Sequence, residues 1–279
     1  MPDFYLGARA HDYGRGTPAE MFARLRRDGW TCTQLAYPKA IEGISTLEDV
    51  TPTVVEDTLA AMKGTGLRVP VLGVYRELAA ADETLRRREV RAFISQMPVC
   101  RALGALCMGS ETTGMEKQPV GTTLAQARAQ LEKSLEEILP AAEALGVTVA
   151  LEPVWHHALS TAEYARQLLD TMASPALRLI FDPANLLGPD WLDRQDQLFG
   201  RAMDLWGDKI MAVHFKGVRY EGRRHIPCRL EDSVVEYETV FRHMKGLPQE
   251  ELPVLREEAV PGAADSDRAV MTQACRWMQ

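Results

Sequence analysis

Apolar residues along this chain follow two rhythms. Eight short runs read as buried strands: residues 4–10 (FYLGARA), 32–37 (CTQLAY), 69–75 (VPVLGVY), 105–111 (ALCMGSE), 147–152 (VTVALE), 177–182 (LRLIFD), 209–215 (KIMAVHF) and 252–257 (LPVLRE). Between them lie segments with apolar residues at helical spacing, several with explicit start signals. Thr17-Pro18-Ala19-Glu20 and Ser160-Thr161-Ala162-Glu163 read as capping boxes, and Thr51-Pro52 as a cap followed by a proline that opens the helix. The segment from Thr122 to Leu145 predicts one long helix, stopped by Gly146 just before the fifth strand. Strands and helices that alternate at about thirty-residue spacing imply parallel strands joined by right-handed crossovers. Eight such units in 279 residues predict one (β/α)8 barrel over residues 1–279, an α/β fold in a single domain. An open doubly wound sheet is the alternative, but no GxGxxG follows the first strand.

The strand ends carry the chemistry. In Val147-Thr148-Val149-Ala150-Leu151-Glu152, the branched residues Val147, Val149 and Leu151 share one face, and Thr148, Ala150 and Glu152 share the other. A carboxylate on a buried face is costly unless it is paired or bound to a metal. Three later strands close in the same manner, at Asp182, His214 and Glu257, with separations of 30, 32 and 43 residues. Arg178, Ile180 and Asp182 share a face of the sixth strand, and Ile210, Ala212 and His214 a face of the seventh. The active site of a barrel is built at the C-terminal ends of its strands. Three carboxylates and an imidazole gathered there require a cation or strongly separated pKa values. Oxygen-rich ligands with one imidazole suit Mn²⁺ best, with Mg²⁺, Co²⁺ and Zn²⁺ as the other options. Parity leaves Glu257 and Glu258 both open in LREE, and the match of VLRE to VALE and MAVH favours Glu257.

Composition narrows the field. A chain 46% hydrophobic and 25% charged is ordinary for a globular protein, and a net charge of -7 argues against binding a phosphate backbone. No apolar run approaches the roughly 20 residues that span a bilayer. The start, MPDFYLGARAHDYGRG, lacks a basic segment followed by an apolar core, so no signal peptide is expected. Five scattered cysteines without CxxC spacing read as reduced thiols, which places the chain in the cytoplasm.

The order ALEP, FDPAN, VHFK, LREE, with LGARAHDYG at the start and MGSETTG after the fourth strand, resembles the xylose-isomerase-like TIM-barrel superfamily. More narrowly it looks like the sugar phosphate isomerase/epimerase branch, which includes ketose 3-epimerases. The resemblance spans the chain. It implies that Glu152, Asp182, His214 and Glu257 bind one divalent metal, and that Glu152 and Glu257 are also the proton-transfer pair. A metal polarising a carbonyl, with a carboxylate on each face of the substrate, performs epimerisation or isomerisation through an enediolate. The expected partner is a small carbohydrate, with neither nucleic acid nor membrane; barrels of this kind often pair through the rim, so a homo-oligomer is compatible.

The chain departs from the family pattern at two places. Asn185 stands where similar ketose epimerases often have a substrate-binding histidine, and it retains the capacity to hydrogen-bond a sugar hydroxyl. Lys216 follows His214 where many relatives have an aspartate, so Lys216 and Arg219 become candidates to meet an anionic group. His157, beyond the fifth strand, His11, after the first, and Glu111, ending the fourth, are further substrate-contact candidates; Gln34 is a weaker one. Trp155 is a candidate pocket wall. Cys107 and Met108 read as packing, and His225, in a loop, and His243, in a helix, as non-catalytic. Three competing functions remain in view. A lyase or dehydratase on a keto-sugar or keto-cyclitol would use the same metal and base. A DNA repair endonuclease would need more histidines and a basic groove. A sugar-binding protein would exchange no substrate proton.

Overall fold

Every predicted apolar run forms a strand in the computed structural model, which describes residues 3–259 and 262–278. In chain order these are β1 (Asp3–Arg9), β2 (Cys32–Leu35), β3 (Arg68–Gly73), β4 (Cys107–Glu111), β5 (Val149–Glu152), β6 (Leu177–Phe181) and β7 (Ile210–Phe215). A hairpin of β8 (Gly217–Glu221) and β9 (Arg224–Cys228) comes next, and then β10 (Glu251–Arg256). The seven strands β1–β7 and β10 close a barrel of eight parallel strands, with β10 between β7 and β1.

Period two explains why these runs are strands. On β5, Val149 and Leu151 face outward into the large core against the helices, whereas Ala150 faces the barrel axis. The axis is filled by Cys32, Val71, Cys107, Ala150, Ile180, Ala212 and Leu255, one from each of β2–β7 and β10. Gly109 belongs to the same packed interior: a Cβ there would lie 2.8 Å from both Ile180 Cδ1 and Val71 Cγ1. The interior is therefore solid, and whatever each strand carries one step further along is delivered to the C-terminal mouth. All five cysteines are buried and unpaired, Cys32 and Cys107 among the axial residues.

The helices start and stop close to their signals. Thr17 with Glu20 forms a complete capping box, Thr51 caps the helix Pro52–Thr65, and Gly146 ends the helix Leu124–Leu145 at φ 62°. Thr123 rather than Thr122 caps that long helix, in a box with Gln126. The expected box from Ser160 is corrected by one residue. Thr161 is the cap, accepting from the Tyr164 backbone N–H at 3.1 Å, so Glu163 sits one place too early to reach back and instead meets Arg201. His225 is also corrected: it lies in β9, not in a loop. The hairpin escapes notice in the sequence because its strands are largely solvent-facing and charged, without an apolar alternation. Its start depends on Gly217, where a Cβ would come within 2.3 Å of the Cys228 carbonyl oxygen. Among the described residues no helix is long and apolar enough to cross a membrane.

The last barrel strand is tied to the last helix, Ala264–Arg276, by a buried ion pair. Arg256 is 0% exposed, and its Nε donates to Asp267 Oδ2 at 2.7 Å. Its Nη1 donates to the Glu257 carbonyl, so the pair also sets the backbone of a site residue. Removing one partner of a buried pair leaves an uncompensated charge. Asp267→Ala is expected to destabilise the fold by about 3–5 kcal/mol, read as a lower midpoint in urea unfolding.

Candidate functional site

The site follows from the axial residues by one strand step. Ala150, Ile180, Ala212 and Leu255 face the axis, and two residues on stand Glu152, Asp182, His214 and Glu257. All four are at most 2% exposed. Glu257, not Glu258, takes the inward position; Glu258 turns aside at φ 55° and is half-buried.

Their side chains converge. His214 Nδ1 lies 2.8 Å from Glu152 Oε2 and 3.4 Å from Glu257 Oε1. Asp182 Oδ1 caps the short helix Pro183–Leu186 by accepting from the Asn185 backbone N–H at 3.0 Å. Its other oxygen stands 2.9 Å from Lys216 Nζ, which is also 3.2 Å from Glu257 Oε2. Arg9 Nη1 approaches the same Glu257 oxygen at 3.4 Å. Asn185 Nδ2 donates to Glu152 Oε1, and Gln34 Nε2 donates to Glu257 Oε1 at 3.3 Å and to the Tyr75 hydroxyl.

Burial and charge pull these groups in different directions. Burial pushes Asp182 up to about 6, with Glu152 and Glu257 adding to the rise against the pull of Lys216. Glu257 is equally buried, yet His214, Lys216 and Arg9 together outweigh burial and hold it well below the usual carboxylate range. Burial opposes charge on His214, but Glu257 and Glu152 prevail and raise it to about 9. Lys216 stays firmly charged for the same reason: Asp182, Glu257 and Glu152 overcome its desolvation.

These residues suit a divalent metal. One donor atom each from Glu152, Asp182 and His214 lies within 4.8 Å of the other two. Both His214 ring nitrogens, Asp182 Oδ2 and Glu257 Oε2 are buried without an aligned hydrogen bond, although charged neighbours stand close. Three carboxylates with one imidazole, gathered at one point, are an oxygen-rich ligand set for Mn²⁺, Mg²⁺ or Zn²⁺.

The remaining expected residues fall in different places. Glu111 ends β4 in register with Glu152, and burial raises its carboxyl. His11 sits in the turn after β1; burial, with Arg9 and Lys39 adding to it, lowers its imidazole to about 3, so it is neutral. Asn185 reaches Glu152 rather than open space, and Lys216 is buried against carboxylates rather than on a solvated loop. Arg219 is exposed on the hairpin. His157 is buried beside His156. Trp155 is half-buried under Arg223 of the hairpin, 5.4 Å from ring centre to guanidinium. Arg9 and Tyr75 were not anticipated. Arg9 follows from the step that finds Glu152, since Tyr5 packs on the axial cluster and Gly7 and Arg9 continue its face.

Two outcomes are expected. Asn185 orients Glu152, so Asn185→Ala weakens divalent-metal binding by about 10–100-fold in calorimetric titration of chelator-treated protein. In metal-free protein, His214 has a folded pKa near 9 above its ordinary 6.5. Its contribution to stability is therefore complete below about pH 6.5 and is lost as pH rises through about 9. The unfolding midpoint of metal-free protein falls across that window, and His214→Asn flattens the slope.

No curated protein sequence matches this chain. Among solved structures, a D-tagatose 3-epimerase-like protein superposes with a TM-score of 0.78 at 12% identity, covering 98% of each chain. The apo form of 3-keto-D-glucoside 4-epimerase from E. coli superposes with a TM-score of 0.71 at 16% identity, over 98% of this chain and 99% of that one. A xylose isomerase-like TIM barrel protein from Mycobacterium smegmatis in complex with magnesium gives 0.73 at 12% identity, over 99% and 98%. These likenesses establish the shared barrel. The family model for the xylose isomerase-like TIM barrel matches residues 22–278, so this chain belongs to the xylose isomerase-like TIM barrel family.

Proposed function

We propose that this protein is a divalent-metal-dependent isomerase or epimerase of a sugar or sugar phosphate, acting by proton abstraction next to a carbonyl. One observation carries the reading: two buried carboxylates, Glu152 and Glu257, reach the same His214 nitrogen, at 2.8 and 3.4 Å, from separate strand ends. A pair of bases around one centre is what moving a proton off one face of a carbon and back onto another requires. Two of the similar structures described above carry epimerase names, on D-tagatose and on a 3-keto-D-glucoside, which supports the same class.

Glu152, Asp182, His214 and Glu257 would hold the ion, with Mn²⁺ the first choice, and the bound ion would supply Lewis-acid polarisation of a carbonyl and its neighbouring hydroxyl. The chain's own groups supply the rest. Glu257, ionised despite its burial because Lys216 and Arg9 stand beside it, is assigned as one base of the pair. Glu152 is oriented by Asn185 and takes the opposite role in the pair. Lys216 and Arg9 place two permanent positive charges beside Glu257, where they offset the negative charge of an enediolate. Neutral His11 and half-buried Glu111 at the rim are assigned to sugar hydroxyls, with Arg219 further out for an anionic group. Asn185 and Lys216 act chiefly through the carboxylates they hold.

Deuterium exchange tests this directly. Chelator-treated protein is reloaded with Mn²⁺ and incubated in D₂O with ketoses, their phosphates and keto-sugars, and label is read by NMR. The expected result is metal-dependent exchange at one carbon, reduced by about 10²–10⁴-fold in Glu152→Gln and in Glu257→Gln with the fold intact by circular dichroism. Full exchange in Glu152→Gln would sink the two-base assignment. Loss of water from the substrate in place of retained mass would instead make the protein a dehydratase working from the same carboxylates.

A further inference from the structure

A second group of metal-ligand side chains stands apart from the carboxylates at the mouth and shares no residue with them. It forms where the segments after β4 and β5 pair. Gly114 and His157 make an antiparallel bridge, the Met115 backbone N–H donates to the His156 carbonyl at 3.0 Å, and the Ala158 N–H donates to the Thr113 carbonyl at 3.1 Å. This pairing brings Glu116, His156 and His157 together, so that one donor atom of each lies within 4.8 Å of the other two. The two rings stand edge to face with centroids 4.6 Å apart.

Both histidines keep one ring nitrogen free to bind. Nδ1 of His156 and Nδ1 of His157 are both buried without a hydrogen-bond partner, and His157 as a whole is only 6% exposed. An unpartnered buried polar atom is costly and calls for a cause. Burial pushes both imidazoles down, His157 to about 3, so both are neutral and their lone pairs are available. The Glu116 carboxylate folds back over Gly114, where a Cβ would lie 2.2 Å from Oε1, so the absence of a side chain at 114 makes its room. Its neighbour Lys117 is paired with Glu77 at 3.1 Å, and its charge adds to the lowering of both imidazoles.

We propose that Glu116, His156 and His157 form a second divalent-cation site, of the zinc class, on the rim of the barrel. Two neutral imidazoles and one carboxylate are a familiar zinc ligand set, with a fourth position left to water or a ligand oxygen. Its nitrogen-rich character separates it from the oxygen-rich centre below, which accepts Mn²⁺ and Mg²⁺ more readily. An ion there would staple the β4 and β5 segments together and offer an open coordination position at the rim.

The test counts ions. Chelator-treated wild type, Glu116→Gln, His156→Ala and the Glu152→Gln/Asp182→Asn double variant are equilibrated with Zn²⁺, desalted and analysed by plasma mass spectrometry. Calorimetric titration and the visible spectrum of the Co²⁺ form accompany the count. Glu116→Gln and His156→Ala are each expected to hold one zinc fewer than wild type, or to bind that zinc at least tenfold more weakly. The double variant is expected to retain one ion, with a cobalt spectrum that His156→Ala abolishes. Unchanged zinc number and affinity in both Glu116→Gln and His156→Ala would overturn the proposal. Glu116 is exposed, so its variant is expected to fold normally, and a circular dichroism spectrum checks His156→Ala. The comparison with wild type does not depend on whether the carboxylate centre loads, so its failure is separate from failure of the isomerase reading.

Discussion

Three carboxylates buried at one point set the terms for the rest of this molecule. Glu152, Asp182 and Glu257 are each at most 2% exposed and all crowd around His214. Such an arrangement is unfavourable unless positive charge enters with it. Without an ion the chain supplies Lys216, Arg9 and a protonated His214; a divalent ion on the same donors would take the place of that proton. This competition spreads the pKa values apart, with Asp182 raised and Glu257 depressed although both are fully enclosed. Two carboxyls of equal burial are thus set apart by the charges that face them.

The barrel makes that concentration of charge tolerable by holding it rigidly. Its axis is packed with small and branched residues, Gly109 giving way to Val71 and Ile180, so the polar layer rests on a solid floor. Around the site a further ring of contacts limits movement. Asn185 fixes Glu152 and is itself placed by the Asp182 cap, and Gln34 bridges Glu257 and Tyr75. The Arg256–Asp267 pair anchors the strand that ends in Glu257. A carboxylate displaced by a fraction of an ångström loses much of its value as a metal ligand, so these outer partners would matter to the affinity of any ion held there.

The rim is where this chain takes its own course. At 12–16% identity to similar structures the barrel persists over nearly the whole length, while connections are free to vary. The β8–β9 hairpin fills the longer interval between His214 and Glu257. It leans on the rim through Tyr220 to the Leu187 carbonyl and Arg223 to Asp190. Across from Arg223 lies Trp155, followed directly by the two histidines of the second cluster. Substrate choice in barrels resides in such loops rather than in the axial residues.

Much of this was legible in the sequence, and the reason is local. Strand periodicity is a property of neighbouring residues, so eight apolar runs gave eight strands, and the parity that buries Ala150, Ile180, Ala212 and Leu255 aims Glu152, Asp182, His214 and Glu257 at one mouth. The same parity contained Arg9, which a closer reading of the first strand would have found. What only the tertiary structure decided is who meets whom. Gln34 reaches Glu257 across 223 residues of chain, Lys216 turns inward to Asp182 instead of outward to solvent, and Asn185 spends its amide on Glu152. Glu116 finds His156 and His157 because two rim segments pair. Those partnerships depend on barrel closure and side-chain torsions, and neither is encoded in the spacing of residues along one strand.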